Sequence, residues 1–258
     1  MEDLIMTVSK LYEKLCERIP CELSCDWDND GIMCCPDSSA EVKRVLVALD
    51  VTEEIVDYAI SSGFDLIISH HPLVFRPIGR VTEDNHVSRK LIKLISNNVS
   101  VFSFHTRADK VKGGVNDLLA DILGLVDVET FGEDGLGRIG NLPDERELED
   151  FVADVKLQLS ASTVRYADAY NSCKRIALVG GDGKDYVKAA IESGADTYLS
   201  GRLSYNVMEE APDMGINLIE AGHYHTEFPV TGFFGELVSQ IDEGIYFETA
   251  DSNMIKIM

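Results

Sequence analysis

The sequence predicts an α/β protein made of two related halves, with parallel strands in each half and a metal site where strands end. Apolar runs of strand length alternate with segments of helical spacing, and one such βαβ unit recurs after 131 residues. Five of the six histidines lie where predicted strands end. In α/β proteins, ligands bind outside the carboxyl ends of parallel strands, so the clustered histidines point to a site there.

The first half begins with a segment of helical apolar spacing over residues 1–19, followed by a loop from Pro20. The apolar run Val45–Leu49 predicts a buried strand, and Thr52 is a good amino-terminal cap for a helix that continues to Ile60. Leu66–Ile68 predicts a second buried strand. These segments form a βαβ unit.

The second half repeats this unit without a gap. Strand 176–179, a helix over 184–191 and strand 197–199 lie 131 residues after their counterparts. Polar and glycine positions are shared as well as apolar ones, which favours duplication over convergence of two ordinary units. The shared positions are Lys43/Lys174, Arg44/Arg175, Val56/Val187, Ala59/Ala190, Ile60/Ile191, Ser62/Ser193, Gly63/Gly194, Asp65/Asp196 and Ser69/Ser200.

A further strand is predicted after each unit, over 99–104 and 216–219, and both lead to a histidine. Between the halves, the Gly-, Asp- and Glu-rich stretch 127–144 predicts a connector, with Asp144 capping a helix over 145–159. We therefore divide the chain into a first α/β half, 1–127, and a connector with a second α/β half, 128–258.

Composition is that of an ordinary globular protein. The chain has 258 residues, 45% of them hydrophobic, and 45 acidic against 23 basic residues give a formal net charge of −22. This charge repels nucleic acid and anionic membranes, so neither is an expected partner. Apolar runs of about 18 residues are absent from the sequence, and the acidic start Met1–Asp3 differs from a basic secretory signal. We expect a cytoplasmic protein.

Five of the six cysteines lie in the first 35 residues, and their spacing fits no zinc ribbon. Adjacent Cys34 and Cys35, and the closely spaced Cys21 and Cys25, can hold a second metal or form a redox pair. The alternative is buried or idle thiols in a reducing compartment. The cysteines are Cys16, Cys21, Cys25, Cys34, Cys35 and Cys173.

The histidine-containing strand ends match between the halves. At an offset of 118 residues, His105 and Asp109 correspond to His223 and Glu227. If the segment from His223 to Glu227 is helical, these two residues lie on the same face, because positions four apart are neighbours. Imidazole and carboxylate together suit Zn²⁺, Fe²⁺, Mn²⁺ or Ni²⁺. His105 can alternatively orient a ligand, and His225 can be a bystander or a proton shuttle.

His70 and His71 are adjacent. In an extended segment, neighbouring side chains point to opposite sides, which favours one ion for each histidine and a dinuclear centre.

Two other segments allow two interpretations each. The loop Asp26–Asp30 is either a turn held by its own side chains or a substrate contact, and Trp27 within it can pack or stack on a base. The turn Gly180–Gly183 is either a plain βα turn or a phosphate cradle.

Four motifs, in this order, resemble those of the GTP cyclohydrolase I type 2 family, also called the Nif-three-like proteins, in its short form without an inserted domain. The motifs are Asp26–Gly31, Ile68–Phe75, His105–Asp109 with Gly113–Asp117, and Ala221–Glu227. The resemblance spans nearly the whole chain.

The resemblance implies a homohexameric ring and two divalent ions per chain, held between the halves by His70, His71, Asp109, His223 and Glu227. It also implies a metal-dependent hydrolase that opens the imidazole ring of GTP, breaking cyclic amidine C–N bonds, to give formate and dihydroneopterin triphosphate.

In that reaction, His105 or His225 moves protons and Arg107 or Arg202 holds the triphosphate. Family members commonly have Asn in the position of Arg107, and an acid and a histidine within 201–206, where this chain has Arg202 and Asn206. These departures lie where a substrate would bind.

Other functions remain open. The same centre can hydrolyse another phosphoester or amide, and a metal-binding, metal-delivery or protein-interaction scaffold is the non-enzymatic alternative. A ring that binds nucleic acid is the weakest alternative, because it needs a basic inner wall.

Overall fold

The computed structural model describes residues 5–258 and has an α/β architecture with two sheets. The first four residues of the predicted amino-terminal helix, including the acidic start, lie outside this range. The helices of the described residues are α1 (Val8–Arg18), α2 (Glu53–Ser61), α3 (His86–Ser96), α4 (Thr106–Lys110), α5 (Val115–Ile122), α6 (Leu148–Gln158), α7 (Val187–Glu192), α8 (Tyr205–Met214), α9 (His223–Glu227) and α10 (Val230–Ile241).

The strands are named in the same way, in chain order. They are β1 (Gly31–Cys34), β2 (Arg44–Ala48), β3 (Leu66–Ser69), β4 (Ser100–Ser103), β5 (Val126–Phe131), β6 (Gly137–Arg146), β7 (Arg165–Ala167), β8 (Cys173–Asp182), β9 (Thr197–Arg202), β10 (Asn217–Glu220) and β11 (Tyr246–Ala250).

The chain forms two compact units. Unit 1 contains the residues up to Val111 together with Val230–Ile255, and unit 2 contains Lys112–Pro229 with the last three residues. This division differs from the predicted halves, because the carboxyl-terminal strand β11 pairs in parallel with β2 and so returns to the first sheet. Sequence spacing gave no sign of this return.

Unit 1 contains a five-stranded sheet in the order β1-β4-β3-β2-β11. The four strands β4, β3, β2 and β11 are parallel, and β1 lies antiparallel at the edge. Central strands β2, β3 and β4 are almost wholly buried, as expected for continuous apolar runs in a parallel sheet. Helix α2 begins as predicted, since the Thr52 hydroxyl accepts a hydrogen bond from the Ile55 N–H at 3.1 Å.

Unit 2 contains a six-stranded sheet in the order β5-β6-β8-β9-β10-β7. Strands β8, β9 and β10 are parallel, and the other three pair antiparallel. Successive residues of these parallel strands enter two different apolar clusters, so both faces of the sheet are covered. Leu178, Leu199 and Ile219 belong to one cluster, and Ala177, Tyr198 and Leu218 to the other.

The repeated βαβ units are consistent with the predicted duplication, and both contain the same polar contact. In unit 1, the Asp65 carboxylate accepts hydrogen bonds from the backbone N–H groups of Lys43 and Arg44, at 2.8 and 2.9 Å. In unit 2, Asp196 accepts from the N–H groups of Lys174 and Arg175, at 3.0 and 2.7 Å. The same side chain therefore fastens the start of the first strand in both units, which explains these shared identities.

The predicted connector over 127–144 is wrong. Strands β5 and β6 pair there as an antiparallel ladder, and Asp144 lies within β6 instead of capping a helix. Helix α6 starts later, at Leu148, after Glu147. Because β5 is an exposed edge strand with only Phe131 buried, its composition resembles that of a loop.

Candidate metal centre

Three histidines of unit 1 converge at the carboxyl ends of adjacent parallel strands. His70 and His71 follow β3, and His105 follows β4. Their ring centroids lie 5.0 Å (His70–His71), 5.2 Å (His70–His105) and 5.7 Å (His71–His105) apart. One ligand atom from each residue lies within 4.8 Å of the other two, so this group can hold a metal ion.

Each of these rings is held at Nδ1 by an oxygen atom. His70 Nδ1 lies 2.9 Å from the Phe104 carbonyl oxygen, His71 Nδ1 lies 2.8 Å from Asp50 Oδ1, and His105 Nδ1 lies 2.8 Å from Asp28 Oδ1. Since a carbonyl oxygen only accepts, His70 donates this hydrogen bond from Nδ1, and Nε2 is the ring nitrogen left to face a metal ion. Metal-ligating histidines characteristically have such a partner on the other nitrogen, so the donor set fits a divalent ion.

The chain bends at His70 and His71, which changes one prediction. We assumed an extended backbone that sends neighbouring side chains to opposite sides, but β3 ends at Ser69 and both histidines lie in the bend. Their rings converge as a result, and both join one candidate ion group with His105.

Asp28 links the loop before β1 to His105 and helix α4. Oδ1 pairs with His105, while Oδ2 accepts from the Thr106 N–H and hydroxyl at 3.0 and 2.7 Å. Burial alone raises the pKa of Asp28, but the hydrogen bonds from His105 and Thr106 outweigh it and hold that pKa below its ordinary value. Burial lowers the pKa of His105, but Asp28 and the charge of Asp109 raise it overall. The loop thus anchors the start of α4.

Asp109 contributes the carboxylate of unit 1. It lies on α4, is buried, and places Oδ1 3.6 Å from Nε2 of the fully buried His70. A carboxylate at this distance from an imidazole leaves space for a shared ion with small adjustments of the side chains.

In unit 2, His223 and Glu227 are the counterparts of His105 and Asp109. They lie on α9, which has five residues, as α4 has. His223 Nε2 lies 3.1 Å from Glu227 Oε2 across one turn of α9, which confirms that these residues share a face. Gly181, in β8, has φ +66°, and a Cβ there would collide with Glu227 Oε1 and lie 3.2 Å from His223 Nε2. Position 181 therefore requires glycine, because Glu227 and His223 approach it closely. This glycine of the Gly180–Gly183 segment is explained without a bound phosphate.

Three comparisons with known proteins place the chain. Residues 6–256 match the model of the family described as Duf34/NIF3 (NGG1p interacting factor 3). The chain belongs to the Duf34/NIF3 family. A "GTP cyclohydrolase 1 type 2 homolog" of Clostridium perfringens is 36% identical over 236 residues, covering 88% of this chain and 90% of that protein. A protein of the same name from Clostridium acetobutylicum is 34% identical over 218 residues, covering 81% of each chain.

Solved structures agree with this assignment. A crystal structure of a Staphylococcus aureus protein has a TM-score of 0.89 and 27% identity, covering 98% of this chain and 99% of that one. Reduced HcgD from Methanocaldococcus jannaschii has a TM-score of 0.84 and 26% identity, covering 95% and 98%. The predicted family and α/β fold are therefore confirmed.

Among the predicted substrate contacts of this Duf34/NIF3 protein, Arg107 needs correction. Its side chain is fully buried, with Nε 3.1 Å from Asp30 Oδ1 and Nη2 3.3 Å from the Tyr12 hydroxyl. Nη1 donates to the Ile19 carbonyl at 3.3 Å. A guanidinium so enclosed does not reach a substrate in solvent, and it instead ties α4 to the amino-terminal segment.

The other predicted contacts remain accessible. Trp27 is 64% exposed, and its ring centroid lies 6.2 Å from that of His105. In unit 2, Arg202 ends β9 and is exposed, while His225 on α9 is half-buried beside Tyr224, with centroids 5.8 Å apart.

Sequence reasoning missed two residues near the histidines. Asp50 follows β2, as the histidines follow β3 and β4, so its position at a strand end was an available signal. Phe75 lies within the motif Ile68–Phe75, and its ring centroid is 6.2 Å from that of His105 and 6.3 Å from that of Trp27. Within residues 5–258, no helix is long and apolar enough to cross a membrane.

Proposed function

We propose that this protein is a metal-dependent hydrolase with two divalent ions per chain. The observation that carries the proposal is the convergence of His70, His71 and His105, each held at Nδ1 by an oxygen acceptor. Histidines that only pack in a core have no need to bring their ring nitrogens together, whereas ligands of a metal ion do. The proposed ligands are those that the family resemblance implied: His70, His71, Asp109, His223 and Glu227.

The number of donors supports two ions instead of one. His70, His71, His105 and Asp109 already supply four donors, the number that one zinc ion takes in a closed site. His223 and Glu227 bring the total to six, and both carboxylates are of the kind that can bridge two ions. In this proposal His105 is either a further ligand or the group that moves protons.

Divalent ions at such a centre supply a nucleophile derived from water at neutral pH and polarise the group under attack. The chain itself supplies proton transfer and positioning. His105, whose charged form Asp28 stabilises, is placed to hold and release a proton at Nε2. His225 is the second candidate for this role, because it lies two residues from His223 on α9.

The surroundings of the histidines favour a substrate with a flat ring. Trp27 and Phe75 are both exposed, and with His105 they form an aromatic group whose pairwise centroid distances are 6.2 to 6.3 Å. Such faces stack on heteroaromatic bases. Two curated relatives carry the name "GTP cyclohydrolase 1 type 2 homolog", so GTP is the first substrate to test.

Formate release provides the test. Protein loaded in turn with Zn²⁺, Fe²⁺, Mn²⁺ or Ni²⁺ is incubated with GTP, and formate and dihydroneopterin triphosphate are measured. We expect turnover with at least one metal and its loss in Asp109→Ala and Glu227→Ala, with Asp121→Ala, an exposed acid on α5, as the matched control. Absence of both products with every metal contradicts the GTP reaction.

A metal-handling protein is the second candidate, and the burial of Arg107 favours it. Because the Arg107 side chain is buried, only Arg202 remains of the two arginines predicted to hold a triphosphate. This candidate predicts ions that exchange readily with a chelator and no turnover of phosphoesters or amides, whereas a hydrolase retains its ions during turnover.

A further inference from the structure

Two cysteine sulfur atoms of unit 1 lie close together away from the histidines. Cys16 is on helix α1, and Cys21 begins the short 3₁₀ turn Cys21–Leu23. Their Sγ atoms are 3.7 Å apart. A disulfide bond requires about 2.05 Å, so closure needs a shift of less than 2 Å along the line that joins the sulfur atoms.

The buried guanidinium of Arg107 is directed at both sulfur atoms. Its Nη1 donates to Cys21 Sγ at 3.1 Å and to Cys16 Sγ at 3.5 Å. The ion pair with Asp30 and the contact with the Ile19 carbonyl fix the guanidinium in this place. A cationic donor beside a partly exposed sulfur is the environment typical of reactive cysteines.

We propose that Cys16 and Cys21 are a redox-active dithiol that closes into an intramolecular disulfide by exchange with a low-molecular-weight disulfide. This modification site is separate from the proposed metal centre and does not depend on the hydrolase proposal.

The two cysteines differ in access, which orders the steps. Cys21 is exposed and Cys16 is partly buried. The Cys21 thiolate attacks one sulfur of the small disulfide, forming a mixed disulfide and releasing one small thiol. The Cys16 sulfur then attacks Cys21 Sγ, and the second small thiol leaves with the proton from Cys16. Two protein thiols are oxidised and one small disulfide is reduced to two thiols, so atoms and electrons balance.

Burial fits Cys16 to the second step. It raises the pKa of Cys16, although hydrogen bonds from Tyr12 and Arg107 act in the opposite direction. A thiol of this kind is protected from oxidant in bulk solvent and reacts with the sulfur already beside it.

Three of the four remaining cysteines are suited to serve as controls. Burial raises the pKa of Cys34 and of Cys173 to about 11, so both stay protonated at neutral pH. Cys25 Sγ lies 3.2 Å from the Lys110 ammonium instead of another sulfur. Cys25→Ser therefore removes the next cysteine along the chain and leaves Cys16 and Cys21 in place.

The test equilibrates the full-length protein with graded ratios of oxidised to reduced glutathione, followed by acid quenching, alkylation of free thiols and tryptic peptide mass spectrometry. Cleavage after Arg18 separates the two cysteines, so the disulfide appears as a cross-linked peptide pair, and fragmentation of that pair distinguishes Cys21 from Cys25, Cys34 and Cys35 on the same peptide. We expect loss of two alkylatable thiols per chain, recovered with reductant, in the wild type and in Cys25→Ser. Cys21→Ser abolishes the cross-link, and Cys16→Ser leaves glutathione attached to Cys21.

Three results overturn the proposal. The first is that Cys16 and Cys21 remain alkylatable at every ratio, and the second is a persistent glutathione adduct on Cys21 in the wild type. The third is oxidation that joins other cysteines while Cys16 and Cys21 stay reduced. Circular dichroism of each variant verifies that the fold is retained.

Discussion

At the scale of single residues, the proposed ligands depend on the oxygen atoms behind them. Asp50 accepts from His71 and is itself held by Ser252, whose hydroxyl lies 3.1 Å from the Asp50 backbone nitrogen and 3.3 Å from Oδ2. The His71 ring therefore has a fixed orientation before any ion binds.

Asp50→Ala is expected to weaken metal binding by about 10–100-fold, because the His71 ring loses the partner that orients it. Competition with a chromophoric chelator measures the change. Asp57→Ala, which removes an exposed acid paired with Lys93, is the control and should bind metal as the wild type does. Equal affinities for the Asp50 and Asp57 variants contradict this role.

Arg107 is expected to matter for stability. Arg107→Met leaves the buried Asp30 carboxylate without its cation, and breaking such a pair costs about 3–5 kcal/mol. Urea unfolding should therefore give a lower free energy of unfolding for Arg107→Met, with partial recovery in Arg107→Met/Asp30→Asn, where no charge is stranded. A double variant that is as unstable as the single one indicates that packing, instead of charge, sets the cost.

Sequence reasoning identified the reactive residue types but not the direction of every side chain. The strand-end histidines were predictable, since apolar runs locate buried strands and ligands gather at their carboxyl ends. The inward turn of Arg107 was not, because its partners Tyr12 and Asp30 are distant in sequence and become neighbours only in the folded unit. Asp28 was seen as part of a turn, although it holds His105 and Thr106.

At the scale of elements, each unit uses a five-residue helix to present a histidine and a carboxylate. Helix α4 follows His105 and carries Asp109, while α9 begins at His223 and ends at Glu227. Both carboxylates are buried, at 8% and 5% exposure, so negative charge there is costly in free energy and a bound cation would stabilise it. The predicted correspondence of these residues thus has a structural counterpart.

Gly181→Ala is expected to displace Glu227 and His223, because the new methyl group occupies the space of the Glu227 carboxylate. We expect weaker metal binding and a loss of roughly 1–3 kcal/mol in the free energy of unfolding. Calorimetric metal titration and urea unfolding measure these effects. Gly232→Ala, on α10 with no atom within 4 Å of the added carbon, should bind metal normally. Normal metal binding by Gly181→Ala contradicts the close approach.

The repeated βαβ unit was predictable because polar identities fall at a constant offset, and Asp65 and Asp196 make the same contact in the two units.

Edge strands were not predictable. Strand β5 buries one residue of six, and β11 lies far along the chain from its partner β2, so neither has the apolar signature of a central strand. Tertiary pairing, instead of local preference, determines such strands.

At the scale of the whole molecule, the family resemblance implies a homohexameric ring, and this is the assembly that we propose. Light scattering after size-exclusion chromatography should give about six times the mass of the chain, at low and high salt. The net charge of −22 makes repulsion between copies strongest at low salt, where salt screens it least. Low salt is therefore the more demanding condition for the hexamer. A monomer at every concentration contradicts the assembly.

The central claim is that the clustered histidines and carboxylates hold metal. The direct measurement is metal content per chain, by mass spectrometry, in protein purified without added metal or an affinity tag. We predict about two divalent ions per chain. His70→Ala/His223→Ala should lose them, while His86→Ala, which changes the exposed histidine at the start of α3, should keep them. Protein that is empty and also fails to take up added Zn²⁺, Fe²⁺, Mn²⁺ or Ni²⁺ contradicts the account, and the histidines are then structural.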